Sequence, residues 1–209
     1  MNRIKKIITV GVTLASIGST TLLSSIAAAD TCTTYCTHKC NHGYHTFDDV
    51  YLKSSNGNKQ GKKYFYIDTN SINTTKVPNV TSGVSEWMTI SYIRNYVDLV
   101  KTTSKSNAQI IIKMDSLSSG INGITYTYKK SSGRKFTDVP LSNYEKAEVI
   151  LNDTLSVSDI RKVTMHEVGH ALGLSHAHCK KNTIMYPAAD NAAIAMTSFD
   201  RDNLRHIYC

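Results

Sequence analysis

The chain has 209 residues, with 24 basic and 16 acidic side chains and a formal net charge of +8. Its lysines are scattered (Lys53, Lys59, Lys62, Lys63, Lys129, Lys130, Lys180, Lys181) and form no aromatic-interleaved stripe. A solvated surface accounts for them and sets a nucleic-acid face aside, while adhesion to an anionic cell wall stays open.

At the N-terminus Arg3, Lys5 and Lys6 form a basic head, residues 7–26 are an apolar stretch broken by Gly, Ser and Thr, and Ala27, Ala28 and Ala29 precede Asp30. This is the layout of a secretory signal peptide over residues 1–29. An apolar stretch of about 20 residues could also span a bilayer, but its Ser/Thr content and the small-residue cleavage site argue against a retained anchor. The expected product is secreted, with no stable membrane anchor. The remaining 180 residues carry 21 basic and 16 acidic groups, and they suffice for one domain with its own core.

Residues 30–46 differ from the rest, with Cys32, Cys36, Cys40, His38, His42 and His45 and almost no aliphatic side chains. They read as an N-terminal appendage, with a short pro-segment as one reading, ahead of a single unit from 47 to 209. In that unit, 64–68 is rich in aromatic and β-branched residues and predicts a strand. Val80, Val84, Trp87, Met88 and Ile90 recur at near-helical spacing and predict a helix within 79–100. The apolar run 108–113 suits a buried strand. Alternation over 124–128 suits a half-buried or edge strand, and 148–151 a further short one. Ser156, with Asp159 three residues on, caps a helix over 157–172. Thr197 and Asp200 open a last helix that turns Leu204, Ile207 and Tyr208 inward. Strands ahead of two later helices make the expected class α+β.

The chemistry concentrates in HEVGHALGLSH, residues 166–176. On a helix, His166 and His170 at i and i+4 lie on one face and can hold one ion. Glu167 is rotated about 100° from the first of them, so it can reach a metal-bound water without being a ligand. Gly173 stands where a helix can stop and turn, which returns His176 as third ligand. Three imidazoles with one open position make a catalytic zinc site. The helix is also apolar around most of its circumference, through Val157, Ile160, Val163, Val168, Ala171 and Leu172. Buried polar groups on such a helix need partners, which a metal supplies.

This stretch resembles the long zinc signature of the metzincin peptidases, and Ile184-Met185-Tyr186-Pro187 is similar to their Met-turn in its matrixin form. The resemblance implies an α+β metzincin-like fold: a twisted, mostly parallel sheet, an active-site helix, a Met-turn and a C-terminal helix. By it, Met185 would be a hydrophobic floor under the zinc, and Tyr186 and Pro187 a substrate wall. Asp200 resembles a position that binds a mature N-terminal amine. The implied activity is that of a secreted zinc metalloendopeptidase, a monomeric hydrolase in which Glu167 activates a zinc-bound water against a protein or peptide substrate. An extended substrate would pair with an exposed edge, for which 124–128 is the candidate. Departures from the family are Ala177 in place of a serine, and no histidine between His45 and His166 for a second, structural zinc. A long propeptide of the animal type is also missing before Tyr64.

The five cysteines leave three readings open: disulfides among Cys32, Cys36, Cys40, Cys179 and Cys209, a latency device in which one cysteine of 32–40 takes the fourth zinc position, or a separate metal site in the appendage. The aspartates could include Ca2+ ligands, but no loop has the spacing of a known Ca2+ motif, and capping or surface roles suffice for most of them. Two rival functions stand beside the endopeptidase: a non-catalytic zinc-stabilised binding module, and a peptidase acting on cell-wall peptides. Glu167 argues against the first, because a structural three-histidine site needs no carboxylate beside it.

Overall fold

Strand β1 (Gly61–Ile67) opens the sheet, and its alternating pattern buries Lys63, Phe65 and Ile67 on one face. The computed structural model describes residues 45–47, 49–89, 91–129, 134–136, 140, 142–178, 180–187 and 193–209. Helices α1 (Val77–Glu86) and α2 (Ser91–Arg94) lead to β2 (Val97–Lys101) and β3 (Ile110–Asp115). Strands β4 (Gly123–Lys129), β5 (Arg134–Phe136) and β6 (Lys146–Asn152) come next, then helices α3 (Val157–Ala171) and α4 (Ser198–Tyr208). The sheet order is β2-β1-β3-β6-β4-β5. The first four strands are mutually parallel, while β4 runs antiparallel to β6, and β5 to β4. This is the expected α+β plan with a mostly parallel sheet. None of the described helices is long and apolar enough to cross a membrane.

Two strands differ from the sequence reading. The apolar spacing assigned to one helix over 79–100 belongs to α1 only as far as Glu86. Val97 and Leu99 are instead the buried positions of β2. Over so few residues, period two and period 3.6 select nearly the same apolar positions, and pairing of 97–101 with 61–65 of β1 decides between them. β5, with Arg134 and Lys135 in its three residues, has no apolar signature and exists through its pairing with β4. The run in β3 is one-sided, since Ile110, Ile112 and Met114 are buried while Ile111 and Lys113 are half-exposed.

Helix α3 packs on α1, β4 and β6. Its approach to α1 needs Gly83, where a Cβ would meet the Arg161 carbonyl oxygen and Thr164 Cβ at 2.8 Å. Ser156 caps α3 by accepting from the Asp159 amide. Thr197 and Asp200 form a reciprocal capping box on α4, whose Leu204, Ile207 and Tyr208 are buried as its pattern predicted. Trp87 is fully buried after α1, and its Nε1 donates to the Met165 carbonyl, 2.9 Å away, on the helix that carries the histidines.

Candidate active site

His166, Glu167 and His170 sit in the buried C-terminal half of α3. The helix ends at Leu172 with paired bonds, Gly173 N to His170 O and Leu174 N to Gly169 O, the Schellman arrangement. It requires a residue at positive φ, and Gly173 adopts +100°. The chain then reverses and brings His176 back over the helix. All three imidazoles are nearly inaccessible to solvent, and their Nε2 atoms lie 3.0, 3.1 and 3.2 Å apart.

These short separations are not hydrogen bonds within a ring of histidines. Nδ1 of His166 is 2.9 Å from the Ile184 carbonyl oxygen, and Nδ1 of His170 is 2.8 Å from that of Leu174. A carbonyl only accepts, so in these two rings Nδ1 carries the proton and Nε2 a lone pair. Burial drives the His166 pKa down to about 4 and the His170 pKa to about 3, and lowers His176 well below its ordinary value. Neutral imidazoles with lone pairs aimed at one point repel one another unless a cation stands between them. Tetrahedral zinc, with bonds of about 2.05 Å, spaces its nitrogen ligands about 3.3 Å apart. The cluster fits such an ion, with three ligands, and no further ligand stands beside them among the described residues.

Main-chain contacts hold the His166 and His170 rings and the turn that carries His176. His45, Thr46 and Phe47 run antiparallel to the turn that carries His176, through a Thr46–Leu174 bridge and the bonds Phe47 N to Gly173 O (2.9 Å) and Ser175 N to His45 O (3.0 Å). The His45 ring donates through Nδ1 to the His176 carbonyl at 3.0 Å, and the His45 amide donates to Asn203 Oδ1 on α4 at 2.6 Å. Phe47 stacks on the His170 ring, with centroids 5.9 Å apart. His45 and Thr46, the last residues of the segment read as an appendage, are buried in this contact.

Met185 is buried beside α3, so close to Gly169 that a Cβ there would overlap its thioether. The Asp200 carboxylate accepts from the amides of Ile184 (3.1 Å) and Met185 (3.4 Å) and from Thr197. It therefore braces the turn that presents the Ile184 carbonyl to His166, while Asn203 takes the N-terminal strap. Tyr186 and Pro187 follow that turn, half-buried. Cys32, Cys36, Cys40 and Cys179 lie outside the described residues, and Cys209 is an exposed free thiol after α4.

Glu167 is buried on the side of α3 that meets β4. Loss of hydration pushes its pKa up to about 7, against the opposing hydrogen bond from Thr125. Thr125 Oγ1 lies 2.8 Å from Glu167 Oε2, and Gly123 abuts the same side chain. Neither residue stood out in the sequence, where 124–128 read only as an alternating strand. His178, also passed over, is half-buried and edge-on to His176 at 5.5 Å. β5 pairs with 127–129 of β4, and residues 123–126 have no strand on that side among the described residues.

Residues 86–209 match the family model of the matrixins. None of the curated protein sequences is significantly similar to the chain. Among solved structures, the chain is similar to high choriolytic enzyme 1, a hatching enzyme zinc-protease from Oryzias latipes (medaka fish). The identity is 16% and the TM-score 0.35, over 62% of this chain and 50% of that one. It is also similar to metalloproteinase-II from Bacteroides fragilis, at 12% identity and a TM-score of 0.46, over 76% of this chain and 57% of that one. The chain thus spans little more than half the length of these structures.

Proposed function

Because the chain belongs to the matrixin family, we propose that it is a secreted zinc-dependent endopeptidase in which His166, His170 and His176 hold the metal and Glu167 is the general base. The observation that carries this reading is the convergence of three Nε2 atoms within 3.2 Å of one another, two of them on a helix that also bears a buried carboxylate needed by no structural zinc site. Bound zinc would lower the pKa of water towards about 7 and polarise a peptide carbonyl.

The protein groups supply the rest. Burial by itself raises the Glu167 pKa to about 7; bound zinc would favour the ionised form, which can take a proton from the attacking water and return it to the leaving amine. The Nδ1–H bonds of His166 and His170 fix the two rings with Nε2 towards the ion. Met185, packed against Gly169, closes the site from below. Tyr186 and Pro187 are assigned to the wall beside the substrate. The sheet edge at β4 is the candidate for pairing with an extended peptide, although 127 and 128 of the expected 124–128 are taken by β5.

The test is digestion of a mixed peptide library by the exported protein and by Glu167→Gln, each with and without a chelator. We expect cuts inside peptides that stop on chelation and return with added zinc. Glu167→Gln should keep its zinc and lose on the order of 100-fold or more in kcat, the usual contribution of a general base. Cleavage that survives both treatments would exclude the mechanism. Mass spectrometry of the exported protein should place its first cleavage after Ala29.

A further inference from the structure

Strand β4 meets the proposed base with two residues from one face. Gly123 and Thr125 are two positions apart on the strand, so both look towards α3. A Cβ at Gly123 would lie 2.7 Å from Cγ of Glu167, 2.8 Å from Oε1 and 2.9 Å from Cδ. The glutamate therefore occupies the space that any larger residue at 123 would fill. Thr125 closes the other side, with Oγ1 at 2.8 Å from Oε2 and 2.9 Å from the main-chain oxygen of Glu167. Both neighbours of that hydroxyl are acceptors when the glutamate is ionised, so its single proton is shared between them. The carboxylate is confined with Oε1 against the glycine and Oε2 against a donor.

We propose that Thr125 is a positioning residue for the general base, holding the Glu167 carboxylate in its working rotamer while Gly123 leaves room for it. This inference rests on the peptidase reading.

Three substitutions isolate the hydroxyl. Thr125→Ser and Thr125→Ala both remove the methyl, and only alanine removes the donor; Thr125→Val keeps the shape without the donor. Alanine and valine should lower kcat about tenfold or more, the scale of a lost hydrogen bond to a charged group. KM should stay within about twofold, since no substrate contact is removed. Serine should restore most of kcat, and zinc content should equal wild type in all three. A crystal structure of zinc-loaded Thr125→Ala should show the carboxylate turned from its wild-type rotamer, and Gly123→Ala should displace it from the opposite side. If alanine keeps the wild-type kcat, or serine is no better than alanine, Thr125 does not position the base. If zinc-loaded wild type fails to cleave, the peptidase reading falls, and the rotamer comparison still judges the positioning claim.

Discussion

Replacing Gly173 by alanine should loosen the third ligand, and its cost can be worked from the geometry. Gly173 adopts φ +100°, a region closed to most residues with a side chain, so a Cβ brings about 1–3 kcal/mol of backbone strain. The added atom would meet the main-chain oxygen of Val50 at 2.5 Å and Ile207 Cδ1 at 3.3 Å. A side-chain methyl can yield by a few tenths of an ångström. The Val50 carbonyl can withdraw only if the strap from 45 to 50 moves. That movement weakens the bonds Phe47 N to Gly173 O and Ser175 N to His45 O, each worth about 1 kcal/mol. The sum is about 3–5 kcal/mol, and at about 2–4 °C per kcal/mol for a domain of this size Tm should drop by roughly 10 °C. The strap also holds the His176 carbonyl through the His45 ring, so zinc affinity should fall with stability. Thermal unfolding of the metal-free protein and zinc titration against a competing chelator separate the two effects. A variant melting within about 2 °C of wild type, less than a loss of even about 1 kcal/mol would cause, and binding zinc equally well, would refute the reasoning.

Lys63 is fully buried in β1, with Nζ 3.0 Å from the Lys59 carbonyl and 4.7 Å from the centre of the Tyr208 ring. Burial lowers its pKa from 10.5 to about 7. Between those values the unfolded chain holds more protons than the folded one, so stability should rise with pH by up to about 1.4 kcal/mol per unit and level off below pH 7. Lys63→Met should remove that rise and be the more stable protein at pH 7; urea melts at pH 7, 8 and 9 with equal slopes for both proteins would contradict this. Gly169→Ala drives a Cβ into the Met185 thioether and to 2.9 Å from Trp87 Cζ2, which should displace the Ile184 carbonyl from His166 and speed zinc release. An unchanged release rate in a chelator-competition assay would count against it. Arg161 binds Glu86 at 2.7 Å and the Ile194 carbonyl at 2.5 Å, while Glu86 also accepts from the Met196 amide at 2.9 Å. Glu86→Ala should free the 193–196 segment and raise KM more than it lowers kcat; a pure kcat effect on peptide substrates would show the anchor irrelevant to binding.

The parts of the site legible from the chain alone are those whose geometry is local. His166 and His170 share a face because a helix repeats every 3.6 residues, and a glycine at 173 permits the positive-φ turn that returns His176 three residues later. The caps at Ser156 and Thr197 were readable for the same reason, since each bonds within its own first turn. Everything that depends on register between distant segments came from the fold. β2 was hidden inside a helical window until β1 paired with it. The clasp of His45 on His176 joins residues 131 apart in the chain, and Thr125 reaches Glu167 across 42. A one-residue slip of β4 would turn Thr125 away from the helix without altering its composition or alternation. Sequence therefore picked out the three histidines and the glutamate beside them, and the packing of sheet against helix decided what holds them still.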